Sequence, residues 1–137
     1  MSNFYKKTDL KVIKTDGGNV LHGYLEKNLD RIDVKEVYFS TIKKSQFRGW
    51  KMHKKMTLNL IVPVGEVKVH LIKVGLKDKL NKHFEILSQD PYFRLTIQPG
   101  IWFAFEGLSE QESLICNISN LGHDPSEVSR RDKNFFS

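Results

Sequence analysis

Short strand-like segments separated by turn formers are the feature that most constrains how this chain can fold. Turn signals such as Asp16-Gly17-Gly18-Asn19, Gln89-Asp90-Pro91 and Pro99-Gly100 separate stretches rich in β-branched and aromatic residues. The predicted strands cover 9–15, 34–42, 56–64, 66–74, 83–87, 93–98, 101–106 and 113–119. Eight or more short strands in one small chain predict a sandwich, a jelly roll or a small barrel.

Alternation of apolar and polar residues supports this prediction. Val67, Val69 and Leu71 share one strand face, while Lys68 and His70 share the other. The same alternation sets Phe93, Leu95 and Ile97 against Arg94 and Thr96. Helical spacing is nearly absent and is limited to Leu25, Leu29 and Ile32, which is enough for one or two turns.

The length and composition indicate one globular domain. The 137 residues fit a single domain over 1–137, with loosely packed ends expected at 1–8 and 126–137. There is no apolar run of membrane-spanning length, and the first residues lack the pattern of a signal peptide. The single cysteine, Cys116, excludes an internal disulfide, lies in an apolar run and is interpreted as a buried small hydrophobe. We therefore expect a cytoplasmic protein.

Basic residues are in excess and favour anionic partners. The net charge is +6, and the nearest approach to a cluster is the segment 51–55, which contains three lysines. The charge itself does not distinguish nucleic acid, a membrane surface and a phosphorylated small molecule. The segment is equally compatible with a solvated edge strand, in which lysines oppose aggregation, and with a diphosphate-binding strand.

Lys51 and His53 are the residues whose spacing suggests chemistry. Residues two apart on a strand point to the same face, so the two side chains are expected on one wall of the barrel. A histidine there can abstract a proton while a charged lysine stabilises the oxyanion that forms. Histidine ranks above lysine as the base because imidazole is substantially neutral at pH 7. An exposed basic strand without chemistry remains the alternative.

The segment 48–55, Arg-Gly-Trp-Lys-Met-His-Lys-Lys, resembles a motif of sugar-nucleotide enzymes. It is similar to the Arg-Gly-(aromatic)-His-x-His-Lys-Lys segment of dTDP-sugar 3,4-ketoisomerases and to the Arg-Gly-Leu-His segment of dTDP-4-dehydrorhamnose 3,5-epimerases. Further similarities occur in register, upstream of this segment at 34–39 and downstream of it at 65–67, 85–88, 95–100 and 107–110. The resemblance therefore covers about residues 10 to 128. It implies an all-β, cupin-type double-stranded β-helix, that is, a jelly-roll barrel.

The chain departs from these families at several functional positions. The places of the four metal ligands of metal-binding cupins hold Lys51, His53, Thr57 and Phe103, so the resemblance implies no metal and no cofactor. The catalytic histidine of the epimerases and the first motif histidine of the ketoisomerases both align with Lys51. The general-acid tyrosine of the epimerases aligns with Asn117, and their active-site lysine aligns with Leu58.

The resemblance implies a metal-independent isomerase or epimerase acting on a nucleotide-linked 4-keto-6-deoxy sugar in surface-polysaccharide biosynthesis. His53 and Lys51 are the expected catalytic residues. The residues expected to bind the substrate are Arg48, Lys54, Asn59, Trp102, Asn117 and His123. The expected partners are a nucleotide-diphosphate sugar and a second copy in a homodimer, with no nucleic acid and no membrane. The alternative is a non-catalytic cupin that binds a sugar nucleotide or glycan and has lost the acid and base residues.

Overall fold

Two five-stranded antiparallel sheets form the protein, which a computed structural model describes for residues 4–25 and 31–137. In spatial order, the first sheet contains β1 (Tyr5–Asp9), β9 (Phe93–Ile97), β6 (Leu58–Val64), β11 (Ser113–Ser119) and β4 (Glu36–Ile42). The second sheet contains β12 (Val128–Arg130), β5 (Phe47–His53), β10 (Trp102–Gly107), β7 (Val67–Val74) and β8 (Leu80–Leu87). A separate hairpin contains β2 (Val12–Thr15) and β3 (Gly18–Leu21).

The order of the strands along the chain gives the jelly roll. From β4 onwards the strands alternate between the first and the second sheet, except that β7 and β8 form a hairpin within the second. The only helical segments among the described residues are two 3₁₀ turns, Leu76–Asp78 and Pro125–Glu127. The predicted all-β, cupin-type fold is confirmed. The helical spacing at Leu25, Leu29 and Ile32 falls partly on residues outside the described part of the chain.

The main core lies between the two sheets. Val67, Val69 and Leu71 of β7 are buried there, as their alternation predicts. The facing sheet contributes Leu95 and Ile97 of β9, which are also fully buried. Burying such aliphatic side chains contributes about 1.5–3 kcal/mol each, so this layer holds the two sheets together.

The outer face of the first sheet is buried as well. Arg94 and Thr96 point away from the main core, yet both are buried. Outward-facing Ile61 and Ile118 pack with Val12 and other apolar residues of the β2–β3 region, which covers this face. Strand β9 is therefore buried on both sides.

The two ends of the described chain are packed, which differs from the expectation of loose ends at 1–8 and 126–137. Phe4 belongs to the main core at 8% exposure, and β1 pairs with β9. At the other end Phe136 is 9% exposed and packs against Trp50 and Trp102 on the outer face of the second sheet. The aromatic rings gain more from burial than the short ends lose in entropy. No helix in the described ranges is long and apolar enough to cross a membrane.

Candidate functional site

A cavity of about 170 Å³ opens between the two sheets on the side of β4 and β5. Its apolar wall is formed by Leu58, Leu60, Phe103, Phe105 and Ile115. Its polar side chains are Tyr38, Ser40, Arg48, Lys51, His53 and Asn117. A concave site in which an apolar wall meets converging polar groups is the usual form of a small-molecule site.

A bulge in β5 brings three motif residues into this cavity. Opposite β10, Lys51 pairs with Phe103 and Gly49 pairs with Ala104, so Trp50 is an extra residue in the strand. Without the bulge, Arg48 would face the opposite side from Lys51 and His53. Gly49 has a φ of 158°, and a Cβ at this position would lie 2.8 Å from the Cα of Ala104. The Arg-Gly pair of the motif therefore needs glycine for close packing against β10.

His53 is held by a buried carboxylate. Its Nδ1 lies 2.5 Å from Oε1 of Glu127, whose side chain is 2% exposed. The other carboxylate oxygen accepts hydrogen bonds from the backbone N–H groups of Lys54 (3.1 Å) and Lys55 (3.4 Å). Because a carboxylate only accepts, Nδ1 carries the proton and Nε2 is left with its lone pair free for a base. Phe103 stacks on the imidazole with an interplanar angle of 7°.

The turn before β12 positions Glu127 against His53, a contact that was not predicted from the sequence. Asp124 begins the 3₁₀ turn Pro125–Glu127, and its carboxylate accepts hydrogen bonds from the backbone N–H and the hydroxyl of Ser126. These hydrogen bonds lower the pKa of Asp124 and keep it ionised. The pattern Asp-Pro-Ser-Glu is a capping signal, so it predicts the turn. It gives no indication that Glu127 meets His53.

A tyrosine hydroxyl reaches the cavity from β4. The side-chain nitrogen of Asn117 donates a hydrogen bond of 2.9 Å to the hydroxyl oxygen of Tyr38, which leaves the phenolic proton free to be donated. Asn117 and Tyr38 lie on the neighbouring strands β11 and β4 and pair directly across them, so this hydroxyl is the one that Asn117 positions at the cavity. The sequence pattern predicts a strand at Tyr38 and gives no sign that its hydroxyl lines a cavity.

Lys51 lies partly buried between two arginines. Burial, followed by the positive charges of Arg130 and Arg48, lowers the pKa of Lys51 below its ordinary value. Arg130 is the residue paired with Lys51 across β12 and β5. This environment favours the neutral amine more than water does.

Arg48 lies at the exposed mouth of the cavity. Its guanidinium donates to the backbone carbonyl of Thr41 and, at 3.2 Å, to the hydroxyl of Ser40. It also lies 5.8 Å from the ring of Phe105. These contacts fix the guanidinium at the entrance while leaving donors available for an anion.

Four of the predicted substrate-binding residues do not line this cavity. Lys54 and His123 are exposed, and their backbone N–H groups bind Glu127 and Glu36. Asn59 is buried on the outer side of the first sheet, where its oxygen accepts a hydrogen bond of 2.6 Å from Thr96. Trp102 packs against Phe136 on the outer face of the second sheet. The structure therefore does not bring these four residues together with Arg48, Lys51 and His53. The side chains of Asn59 and Trp102 lie on the outer faces of their sheets, and those of Lys54 and His123 are exposed.

The cavity does not offer the ligands of a transition-metal site. The four cupin ligand positions hold Lys51, His53, Thr57 and Phe103, of which only the histidine is a good ligand. Over residues 4–25 and 31–137, no group of three His, Cys, Asp or Glu side chains is arranged to hold a metal ion. Cys116 lies on the outer face, and burial raises the pKa of its thiol.

Comparison with known proteins identifies a family over nearly the whole chain. The model of the family described as "FdtA: WxcM-like, C-terminal" matches residues 4–137. No curated protein matches the sequence.

Three solved structures with the same fold illustrate what the chain is similar to. A dTDP sugar isomerase from Desulfovibrio desulfuricans has 27% sequence identity and a TM-score of 0.90, with 96% of this chain and 85% of that one covered. A variant of the 3,4-ketoisomerase QdtA from Thermoanaerobacterium thermosaccharolyticum, in complex with TDP-4-keto-6-deoxyglucose, has 25% identity, a TM-score of 0.76 and coverages of 96% and 90%. The dTDP-4-dehydrorhamnose 3,5-epimerase from Bacillus anthracis, at 17% identity, has a TM-score of 0.83 with coverages of 98% and 83%, and shows the shared fold.

Proposed function

The chain belongs to the WxcM-like, C-terminal family, and on that premise we propose that it is an isomerase or epimerase of a nucleotide-linked 4-keto-6-deoxy sugar. The structures of a dTDP sugar isomerase and of a ketoisomerase bound to TDP-4-keto-6-deoxyglucose, at 27% and 25% identity, support this substrate class. The observation that carries the proposal is that His53 lines the cavity while the buried carboxylate of Glu127 behind it holds its Nδ1.

His53 is the proposed base. A ketone at C4 acidifies the hydrogens on the adjacent carbons, and Nε2 of His53 is the lone pair available to take one of them. Glu127 keeps the imidazole in the required tautomer and stabilises the imidazolium that forms. The apolar wall around Phe103 strengthens this electrostatic effect by excluding water.

Tyr38 is the proposed acid. It lies on β4 in the first sheet, whereas His53 lies on β5 in the second, so the two groups approach a bound sugar from opposite walls. The hydrogen bond from Asn117 fixes the phenol oxygen and stabilises the phenolate left after donation. A proton removed on one side can thus be replaced from the other.

Arg48 is the proposed contact for the diphosphate. A guanidinium at the cavity mouth meets phosphate oxygens with paired, charge-assisted hydrogen bonds. The sugar then extends inwards from Arg48 towards His53. Asn117 contributes as a positioning residue through Tyr38.

The proposed assembly is a homodimer, and the proposed setting is cytoplasmic synthesis of surface polysaccharide. Strand β4 is an edge strand, and its outward-facing Phe39 is 62% exposed beside the exposed Val37. An apolar edge strand of this kind is commonly covered by a second copy. Nucleotide-diphosphate sugars are the activated precursors of such glycans, which supports this setting.

Solvent deuterium exchange tests the proposed function. The protein is incubated in D₂O with dTDP-4-keto-6-deoxyglucose, and the sugar is examined by NMR. We expect loss of the proton signal at C3, at C5 or at both. His53→Asn should abolish the exchange and leave the affinity for dTDP nearly unchanged, whereas His83→Asn, outside the cavity, should behave like the wild type.

The outcomes separate the hypotheses. Exchange at C3 alone indicates a ketoisomerase or a 3-epimerase, and exchange at both carbons indicates a double epimerase. Wild-type protein that binds the sugar without any exchange would contradict the proposed function and favour a binding protein. Unchanged exchange in His53→Asn would place the base elsewhere.

A further inference from the structure

The ε-amine of Lys51 lacks the usual counter-ion of a partly buried lysine. Its Nζ makes no hydrogen bond or ion pair with the described residues, although it lines the cavity. Buried structural lysines are normally paired with a carboxylate. The carboxylate of Glu127 in this wall is engaged by His53 and by two backbone N–H groups.

Two cations flank Lys51 in place of an anion. Arg130 lies opposite it on β12, and Arg48 lies on the same strand at the cavity mouth. Like charges and desolvation both favour an amine that has lost its proton. A lysine made nucleophilic by an apolar pocket and a neighbouring cation is the type that forms Schiff bases with carbonyl compounds.

We infer that Lys51 forms a protonated imine with the C4 ketone of the bound sugar, an inference that rests on the proposed function. The sequence pattern predicts a charged Lys51 that stabilises an enolate by electrostatics alone. The unpaired position of its amine beside His53 favours the covalent role.

The steps balance without an oxidant or a reductant. The lone pair of Nζ forms a bond to C4, and the carbonyl oxygen takes a proton from the Tyr38 hydroxyl. The resulting carbinolamine loses water and becomes the iminium ion. Nε2 of His53 then removes the proton from the adjacent carbon, and the electron pair moves to nitrogen as an enamine forms. The phenolate of Tyr38 regains a proton from solvent and then protonates the carbon from the wall opposite His53, which restores the iminium ion with inverted configuration. His53 passes its proton to solvent. Water adds at C4, one of its protons goes to the nitrogen and the other to the phenolate of Tyr38, and the C–N bond breaks to release the ketone and the neutral amine.

The imine restricts the class of reaction. It acidifies the hydrogens at C3 and C5, so it suits inversion at either carbon. Moving the ketone from C4 to C3 would leave the lysine nitrogen attached to C4 as an amine, which water cannot release. An imine at Lys51 is therefore compatible with epimerisation and not with ketone migration. Lys51 stands where the similar ketoisomerase motif has its first histidine.

Reductive trapping tests the inference. The full chain is incubated with dTDP-4-keto-6-deoxyglucose and sodium cyanoborohydride, which reduces iminium ions faster than ketones. We expect a mass increase equal to that of the substrate less one oxygen atom, mapped to Lys51 by peptide mass spectrometry. Lys73→Arg, an exposed lysine outside the cavity, serves as the control and should trap like the wild type.

Lys51→Arg separates the covalent from the electrostatic role, since guanidinium keeps the charge and forms no such imine. We expect this variant to lose both the adduct and the deuterium exchange while still binding dTDP. Exchange near the wild-type rate in Lys51→Arg would overturn the inference.

The remaining outcomes distinguish the inference from the proposed function. Exchange without an adduct, or formation of a 3-keto product, would overturn the imine and leave the isomerase function standing. An adduct at Lys51 without exchange would support the imine and contradict the proposed isomerase function. Binding of dTDP with neither adduct nor exchange would overturn both.

Discussion

Oε1 of Glu127 lies 2.5 Å from Nδ1 of His53, and the two residues are 74 positions apart in the sequence. This contact joins the turn before β12 to the end of β5, and it holds the imidazole in one orientation. The same carboxylate accepts hydrogen bonds from the backbone N–H groups of Lys54 and Lys55, so it also fixes the chain that follows His53.

Replacing Glu127 by glutamine should lower kcat by about 10²–10⁴ with little change in KM. The amide removes the negative charge that stabilises the imidazolium and no longer selects one tautomer. Steady-state kinetics of the epimerisation or isomerisation measure the effect. His70 and Glu106 form a similar pair at 3.0 Å outside the cavity, so Glu106→Gln is the matched control. Equal losses in the two variants would contradict an orienting role for Glu127.

Exchanging Arg48 for lysine should weaken the binding of dTDP about tenfold, which corresponds to about 1.4 kcal/mol. An ammonium cannot reproduce the paired hydrogen bonds of a guanidinium to phosphate oxygens. Isothermal titration with dTDP and with thymidine measures the effect, and the loss should disappear for thymidine. Arg131→Lys, on the outer face beside Trp102, should bind like the wild type. An equal loss for thymidine would exclude a phosphate contact.

Lys51→Met should stabilise the fold at neutral pH, by about 0.5 kcal/mol or more. Because the pKa of Lys51 is lowered, the folded state binds the proton of its amine more weakly than the unfolded chain, in which the pKa is the ordinary 10.5. The resulting destabilisation of the folded state is complete below the folded-state pKa and vanishes as the pH rises above 10.5. Urea unfolding at pH 7 and at pH 10.5 measures the difference, with Lys73→Met as the control. A variant less stable than the wild type at pH 7 would contradict the prediction.

Alkaline pH should weaken the attachment of β1. Burial, then the hydrogen bond and charge of Glu85, raise the pKa of Tyr5 from 10.0 to about 12. The stabilisation by the protonated phenol is complete below pH 10 and is lost as the pH rises to about 12, because the unfolded chain releases this proton first.

The loss of stability caused by Tyr5→Phe should therefore be largest below pH 10 and shrink towards pH 12. Chemical denaturation of both proteins across this range measures it. In a Glu85→Gln background the same comparison should depend less on pH, since the carboxylate contributes to the shift. A loss that stays constant with pH in the Glu85-containing protein would contradict this account.

Most of the fold follows from local pattern. The alternation at Val67, Val69 and Leu71 correctly identified an inward face, and the turns at Asp16-Gly17 and Pro99-Gly100 lie between the observed strands, although the predicted turn residues Gly18 and Asn19 begin β3. Alternation does not reveal whether the other face is covered, so it carries no sign that Arg94 is fully buried. That burial depends on a hairpin elsewhere in the chain.

The site was only partly predictable. Lys51 and His53 do share one wall, as residues two apart on a strand should. Arg48 lies on the same wall because Trp50 is an extra residue in β5. Simple alternation along the strand would place Arg48 on the opposite face, so its position in the site was predicted from the family motif. Glu127 and Tyr38 were missed because tertiary pairing between distant strands brings Glu127 to His53 and Tyr38 to the cavity. Trp102 was predicted to bind the substrate because it is aromatic. On β10, however, Phe103 and Phe105 face the cavity, so the alternating Trp102 faces outwards.

The docking of the last strand has a consequence for how activity arises. The backbone groups of Trp50 and Arg131 bond to each other in both directions, and Trp50 Nε1 donates to the carbonyl oxygen of Lys133. These bonds hold the segment that carries Glu127 against β5, whereas no residue of 127–133 lines the cavity. The shape of the cavity and the orientation of His53 therefore depend on different parts of the chain, and loosening this last segment should impair proton abstraction more than ligand binding.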